Sequence, residues 1–173
     1  MIAASIHDNL ILDGTILLGD ASGTGDAGPI NHGGDDNLIA HSTFYNSALI
    51  LRSAPEDEGS GALGNIVINN LIMDLSTIFP YEDTPHFTVL EYNLYPTEAV
   101  MNNSITYTLA DWRAFYGQDA NSITGRPVFK GGDTPTRIPD YQLTVDSLGF
   151  EGASDGKDLG ADISKVGIGA RAR

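Results

Sequence analysis

Four short stretches of this chain can be aligned with one another, and this repeat constrains the fold more than any other feature. They are residues 5–11, 38–44, 66–72 and 89–95. One column of the alignment is polar and reads Asn9, Ser42, Asn70 and Asn93. A strand-like segment that returns with its polar residue in the same place predicts repeats stacked along one axis. Because an asparagine amide both donates and accepts hydrogen bonds, we expect this column, the ladder, to join neighbouring repeats.

The repeats predict an all-β fold. Successive ladder positions are 33, 28 and 23 residues apart, which suits the turns of a parallel β-helix with extra length looped out on one side. Continuous apolar stretches such as 48–51 are typical of parallel strands buried on both faces. We therefore predict a short right-handed parallel β-helix (a solenoid) with one packed helix near its carboxy-terminal end. The expected layout is a single domain over 1–173, with repeats over about 3–107, the helix at 108–117, and terminal coils with a cap at 118–173.

The helix is predicted where the apolar period changes. Thr108 and Asp111 resemble the start of a capping box, and Gly117 is a suitable stop. One helical face carries Leu109, Trp112, Phe115 and Tyr116. We expect this face to pack on the solenoid as core and not to bind a ligand.

Downstream of the helix the chain carries four short motifs. They are Gly-Arg-Pro-Val-Phe at 125–129, Asp-Tyr-Gln-Leu at 140–143, Asp-Ser at 146–147 and Asp-Leu-Gly-Ala-Asp at 158–162. Together they resemble the carboxy-terminal end of right-handed parallel β-helix proteins of bacteria and phages, the pectate-lyase-like superfamily. The resemblance implies the fold. It does not choose an activity, since lyases, hydrolases, epimerases, surface proteins and virion spikes share this ending.

The charge of the chain excludes several classes of partner. Lysine and arginine number 9 against 23 aspartates and glutamates, which leaves a net charge of −14. Such a protein repels nucleic acid and anionic membranes, so we expect neither as a partner.

No signal peptide and no 18-residue apolar span is visible in the sequence. With the resemblance, these features predict an extracellular or virion location, and a first repeat so close to Met1 predicts either a fragment or a partner at that end.

Two enzymatic chemistries can be tested against the residues. A uronate lyase of the resembled superfamily tends to use a basic residue as its base, yet Arg52 is the only lysine or arginine before Arg113. Glycoside hydrolysis needs two facing carboxyl groups, and Asp13 and Asp74 share one column of the alignment two repeats apart. Asp13 and Asp74 are thus the candidate catalytic pair. The alternative for both is an ordinary turn position at a strand end.

Two further candidate sites consist of polar side chains. Oxygen-bearing side chains at alternate positions suggest a calcium site, with Asp20, Asp26, Asp35 and Asp36 as ligands; the alternative is a solvated acidic loop, because the standard calcium-loop spacing is missing. Next to the ladder, a second column contains His41, Asn69 and Tyr92. An exposed row of this kind suits a glycan or partner face, and equally an ordinary solvent face.

The sequence therefore predicts a non-catalytic structural or binding module. It would serve as a phage virion decoration or spike-like component, or as a surface protein that contacts partners or glycans. A homo-oligomer is expected, a trimer among the options, and no cofactor is predicted apart from calcium. The alternative is a polysaccharide-active enzyme (lyase, hydrolase or epimerase) or a fragment of one.

Overall fold

Parallel strands dominate the fold. The computed structural model describes residues 5–18, 36–51, 64–73, 89–96, 99–102 and 105–167. The strands are β1 (Ser5–His7), β2 (Leu10–Leu12), β3 (Thr15–Leu18), β4 (Leu38–Ala40), β5 (Thr43–Tyr45), β6 (Ala48–Leu51), β7 (Ile66–Ile68), β8 (Leu71–Ile72), β9 (Val89–Glu91), β10 (Leu94–Tyr95), β11 (Ala99–Asn102), β12 (Ile105–Thr108) and β13 (Ile123–Thr124). The helix α1 spans Leu109–Tyr116, and a 3₁₀ helix spans Ile138–Tyr141.

Strands that occupy equivalent positions in neighbouring repeats pair with each other. A four-stranded sheet has the order β1-β4-β7-β9, a five-stranded sheet has the order β13-β10-β8-β5-β2, and β3 pairs with β6. All of these pairings are parallel, and the register in the first sheet joins Ser5, Leu38, Ile66 and Val89. The alignment of the four repeats from sequence is therefore the observed register, and β6 lies where the apolar stretch 48–51 predicted a strand.

Two residues separate the first and second strands of each repeat, a left-handed residue and then the ladder residue. The left-handed residues have positive φ angles of 54°, 45°, 62° and 53° and are Asp8, His41, Asn69 and Tyr92. A second corner, before β3 and β6, places Asp13 and Asn46 at φ 51° and 49°. Short polar side chains tolerate this conformation best. The columns that the sequence analysis singled out for chemistry are thus corner positions of the backbone.

The main apolar core lies between the two large sheets, and α1 closes one end of it. Its fully buried members include Ile39, Phe44, Val67, Leu90 and Trp112. The helix begins and ends as the sequence predicted: Thr108 Oγ1 accepts from the Asp111 N–H, and Gly117 adopts a left-handed C-cap at φ 65°. Leu109 and Trp112 are buried.

The prediction for one aromatic residue of the helix was wrong. Phe115 is 73% exposed, because it follows Trp112 by three positions and falls at the edge of a narrow apolar stripe. Its ring lies edge-on to Tyr107 at a centroid distance of 5.8 Å and near Tyr116 at 6.4 Å.

The carboxy-terminal region differs from further stacked repeats. Strands β11 and β12 form an antiparallel hairpin, and β13 is the one parallel strand that the described part of 118–167 adds to the stack. The chain beyond β13 packs a second apolar cluster on the outer face of the five-stranded sheet, formed by Leu71, Met73, Leu94, Phe129, Tyr141, Leu143, Ala153 and Leu159. We call residues 149–165 the closing segment. Both faces of the five-stranded sheet are therefore covered.

Among the residues that the structure describes, no helix is both long and apolar enough to cross a membrane.

Candidate functional site

The ladder residues stand side by side and bond in one direction. The N–H of Asn9 donates to Ser42 Oγ (3.3 Å), that of Ser42 to Asn70 Oδ1 (2.9 Å), and that of Asn70 to Asn93 Oδ1 (3.1 Å). The Asn93 N–H then donates to Ser122 Oγ (2.8 Å), so Ser122 is a fifth member. Each side chain thus accepts the backbone N–H of the preceding repeat. The ladder lies buried from Ser42 to Ser122 and is exposed at Asn9.

The carboxy-terminal end of the stack is capped by side chains that satisfy backbone groups. Glu91 accepts from the N–H groups of Ala120 and Asn121, both at 3.0 Å. The Leu90 N–H donates to Gln118 Oε1 at 3.0 Å, and its carbonyl accepts from the Asp119 N–H at 2.8 Å. We call this region, built from β9, β10, β13 and residues 117–122, the capped end. At the opposite end, no strand of the described residues pairs with the outer edges of β1, β2 and β3, and we call it the open end.

A buried carboxylate organises the capped end. Asp119 is fully buried, with a left-handed φ of 57°. Its oxygens accept from Tyr95 OH (2.9 Å), Trp112 Nε1 (3.0 Å) and the Ser122 hydroxyl. Burial raises the pKa of Asp119, and the hydrogen bonds from Ser122, Tyr95 and Trp112 oppose that rise. Burial also raises the pKa of Tyr95, with the Asp119 charge adding to the effect. Asp119 thus joins helix, strand and ladder in one network.

The closing segment covers the first-corner row of His41, Asn69 and Tyr92. The Asn69 amide is held at both atoms: Nδ2 donates to Ser154 Oγ (2.9 Å), and Oδ1 accepts from the Ser154 N–H (2.8 Å). The Gly160 N–H donates to the Asn69 carbonyl at 2.9 Å. As a result His41 and Asn69 are only 6% and 4% exposed, while Tyr92 is half-buried. The expectation of an exposed row was wrong for these two residues, because the closing segment packs over this corner.

The contacts of Asn69 assign the tautomer of His41. Since Asn69 Oδ1 accepts from Ser154, its Nδ2 faces His41 Nε2 at 3.2 Å. A nitrogen that accepts from an amide carries no proton, so the proton of neutral His41 sits on Nδ1. Burial lowers the pKa of His41 and outweighs the opposing attraction of Asp155, whose Oδ2 lies 3.4 Å from Nε2. The Nδ1–H has no hydrogen-bond acceptor among the described residues.

Charged side chains around the closing segment pair with one another. Asp155 binds Lys157, and the hydrogen bond from that ammonium lowers the pKa of Asp155. Asp162 binds Lys165 at 2.9 Å, and hydrogen bonds from Ser164 and Lys165 lower the pKa of Asp162. The Asp162 N–H donates to Asp8 Oδ1 at 3.3 Å. The closing segment thus reaches from the capped end to the corner of the first repeat.

A cavity of about 240 Å³ opens between the closing segment and the five-stranded sheet. Thr43 and Leu71 of the five-stranded sheet line it, together with Tyr141 and Leu143. The remaining lining residues are Asp8, His41, Gln142, Lys157, Asp158, Leu159, Gly160, Ala161, Asp162 and Ile163. A lining that combines apolar side chains with polar groups is found in many small-molecule sites.

The carboxylates predicted for catalysis and for calcium are not brought together by the described residues. Asp13 accepts a hydrogen bond from Asn46, its neighbour in the second-corner column, while Asp74 lies outside the described residues. Asp20, Asp26 and Asp35 also lie outside them. Asp36 is an exposed corner residue at φ 54°. Within the described ranges, no cluster of three or more histidines and carboxylates could hold a metal ion.

Sequence reasoning missed the residues that terminate the stack. Asp119, Ser122 and Ser154 lie outside the four aligned stretches, so no periodic signal marks them. Ser122 follows the ladder position Asn93 by 29 residues, a spacing within the range of the other steps, and this was the one available signal. No protein-family model matches the chain, and searches of curated proteins and of solved structures found no similar protein.

Proposed function

We propose that this chain is a short right-handed parallel β-helix module with a structural, non-catalytic role, and that it joins a second copy of itself through the open end. The carrying observation is the difference between the two ends. At the capped end, side chains and backbone of 117–122 satisfy the last strands. Among the described residues, nothing pairs with the outer edges of β1, β2 and β3.

The winding proposed here has support from strand order and register. Each repeat sends its successive strands to different sheets, and strands of neighbouring repeats pair in parallel. A chain that places consecutive strands in different sheets and returns to the first after each repeat follows a solenoid path.

A non-catalytic role is supported by the state of the ionisable groups. Around the closing segment, Asp155 and Asp162 are bound to lysines, and Asp8 accepts from a backbone N–H. The fully buried Asp119 is held by three donors in the interior. General acid–base catalysis needs groups that can exchange protons with a substrate within hydrogen-bond reach. Carboxylates that are held by lysines, backbone N–H groups or buried donors stabilise the packing of the chain instead.

Self-association is supported by the chemistry of the open end. In a parallel ladder, alternate backbone groups of an edge strand point away from the paired neighbour, so β1 and β2 present both donors and acceptors. Such an edge is self-complementary, as a two-fold contact requires. Asn9 adds an exposed side-chain amide at the same place. A virion or cell-surface assembly is the setting that we propose for such a module.

Light scattering on the purified chain tests this proposal. We expect an oligomer that dissociates on dilution and becomes stronger with added salt, because salt screens the repulsion between chains of charge −14. Asn9→Lys at the open end should shift the equilibrium toward monomer. Ala120→Lys, an equally exposed position at the capped end, is the matched control and should leave it unchanged.

Two results would contradict the proposal. A monomer at all concentrations and salt levels would exclude self-association. New reducing ends or unsaturated products from a panel of neutral and acidic polysaccharides, with and without calcium, would exclude the non-catalytic role.

A further inference from the structure

The cavity under the closing segment is a candidate ligand site that is separate from the open end. We propose that it binds one neutral polyhydroxylated ring, the size of a single hexose unit. The inference concerns a different surface from the proposed oligomer contact and does not rest on it. Size, polarity and charge each support this class of ligand.

Size limits the ligand to a single ring. Pockets for drug-sized ligands measure roughly 300–1,000 Å³, and this cavity measures about 240 Å³. Apolar side chains, Leu71 and Leu143 among them, form part of its lining. The carbon–hydrogen faces of a sugar ring suit such a surface, while its hydroxyl groups suit a polar rim.

The residues that line the cavity carry both donors and acceptors. Gln142 Oε1 accepts from Lys130 Nζ at 2.7 Å, which leaves the Gln142 NH₂ group as a donor. His41 also lines the cavity, and its Nδ1–H, which has no acceptor among the described residues, is a second donor. Asp158 Oδ1 accepts from the Glu151 N–H, which leaves Oδ2 as an acceptor. A hydroxyl group both donates and accepts, so a ring of hydroxyls satisfies a mixed rim of this kind better than an all-donor or all-acceptor ligand does.

Charge excludes acidic sugars. The lining contains three carboxylates, Asp8, Asp158 and Asp162, against one lysine, Lys157. With a chain charge of −14 as well, an anionic ligand would be repelled. A cation would be attracted, but most of the carboxylate oxygens are already engaged by backbone N–H groups and lysines. We therefore commit to a neutral ligand, and cationic probes become part of the test.

Nuclear magnetic resonance titration of the full chain tests the site. The neutral probes are methyl α-glucoside, methyl α-galactoside and methyl α-mannoside, the acidic probe is glucuronate and the cationic probe is glucosamine. We expect at least one methyl glycoside to shift the Gly160 and Ala161 amides and the His41 ring signals saturably in the millimolar range. Glucuronate should produce no saturable shift, and glucosamine should bind no more tightly than the neutral probe.

Variants link that binding to the cavity. Gln142 is exposed, so Gln142→Ala should fold normally and weaken binding by roughly 3- to 10-fold through the lost hydrogen bond. Asn121→Ala removes an exposed amide at the capped end and should leave the affinity unchanged. Ala161→Leu should fill the cavity and abolish binding. The proposal is overturned if no neutral probe gives saturable shifts, if glucosamine or glucuronate binds more tightly than every neutral probe, or if Gln142→Ala binds like the wild type.

Discussion

The two ends of the stack are built from the same repeat but differ in how completely it is buried. In the interior and at the capped end, the inward residues of the first strands are fully buried, namely Ile39, Val67 and Leu90. Their counterpart at the open end, Ile6, is only half-buried. The second strands follow the same rule, since Ile11 is half-buried while Phe44, Ile72 and Tyr95 are buried. An apolar residue at a given repeat position is therefore buried more completely where another repeat covers it.

The difference teaches that repetition and termination use separate residues. The same hydrogen bond joins each repeat to the next, because each ladder side chain accepts the N–H of the preceding repeat. Ending it requires groups that satisfy the last layer without offering another edge. The chain provides these groups at one end, where Ser122 closes the ladder and Asp119 ties it to the helix.

The largest expected effect comes from breaking the capped end at Asp119. Asp119→Ala leaves the buried donors of Tyr95, Trp112 and Ser122 without their acceptor. Because buried donors that lose their acceptor are costly, the substitution should lower the free energy of unfolding by about 3–5 kcal/mol. Urea denaturation followed by Trp112 fluorescence measures the loss directly, since this is the only tryptophan.

Asp119→Asn is the matched control, because it keeps an acceptor for Trp112 and removes the charge. Since burial raises the pKa of Asp119, the folded chain holds its proton more tightly than the unfolded chain. That contribution to stability is complete below the unfolded pKa near 3.8 and declines as the pH rises through the raised pKa. The asparagine variant should lack this decline and lose less at neutral pH than the alanine variant. Equal losses for the two variants would contradict the network.

Alanine substitutions at two ladder positions, one in the interior and one at the open end, compare the stability that the ladder contributes at each place. Asn70 is buried, and it accepts from Ser42 while donating to Ile39 and Asn93. Asn70→Ala should therefore cost about 2–4 kcal/mol. Asn9 occupies the same column at the open end and is exposed, so Asn9→Ala should cost no more than about 0.5 kcal/mol. Denaturation of dilute, monomeric protein measures both. Similar losses at the two positions would show that the open end is as well covered as the interior.

The part of the fold that repeats could be predicted from sequence, because identical layers put equivalent residues in one column. The register, the ladder and the boundaries of α1 all follow from local patterns, a polar column and two capping residues. The candidate chemistry could not be read in this way. Aspartate, asparagine and histidine at strand ends look like site residues in sequence, whereas here His41 and Asn69 are backbone corners with positive φ.

The covering of the corner row depends on contacts between residues far apart in the chain. Ser154 reaches Asn69 across 85 residues, and the Ala161 N–H reaches Thr43 Oγ1 across 118. No periodicity marks such pairs, since the closing segment has no regular secondary structure. The motif at 158–162 indicated the end of a solenoid, but its packing on the outer face of the sheet depends on shape, and a single sequence does not encode shape in a readable pattern.

A glycine pair tests how strongly the closing segment holds the two ends together. Gly160 has φ 86°, and a Cβ there would lie 2.4 Å from Thr43 Oγ1 and 2.9 Å from Leu71 Cβ. Gly160→Ala should therefore cost about 2–3 kcal/mol through strain and overpacking. Gly156 has a similar φ of 78° with open space around it, so Gly156→Ala should cost only about 1 kcal/mol. Urea midpoints compare the two, and equal costs would place the closing segment away from the sheet.

The smallest effect expected is a pH dependence at His41, where the closing segment crosses the second repeat. The groups that face its ring are Asp155, His7, Lys157 and Asp8. Burial lowers the pKa of His41, His7 and Lys157 add to that effect, and the attraction of Asp155 and Asp8 only partly opposes it. The unfolded chain then takes up a proton near pH 6.5 while the folded chain stays neutral. The contribution of His41 to stability should be constant above that pH and fall as the pH drops from 6.5 toward the lowered pKa.

His41→Asn isolates that contribution, because asparagine tolerates the left-handed corner and can still accept from Asn69. Lowering the pH from 7.5 to 5.5 should reduce the urea midpoint of the wild type relative to that of the variant. The opposite order, a wild type that gains stability relative to the variant on acidification, would mean that Asp155 draws a proton onto Nε2. In that case the hydrogen bond from Asn69 would have to break, and the closing segment would be held to this corner by an ion pair instead of an amide clamp.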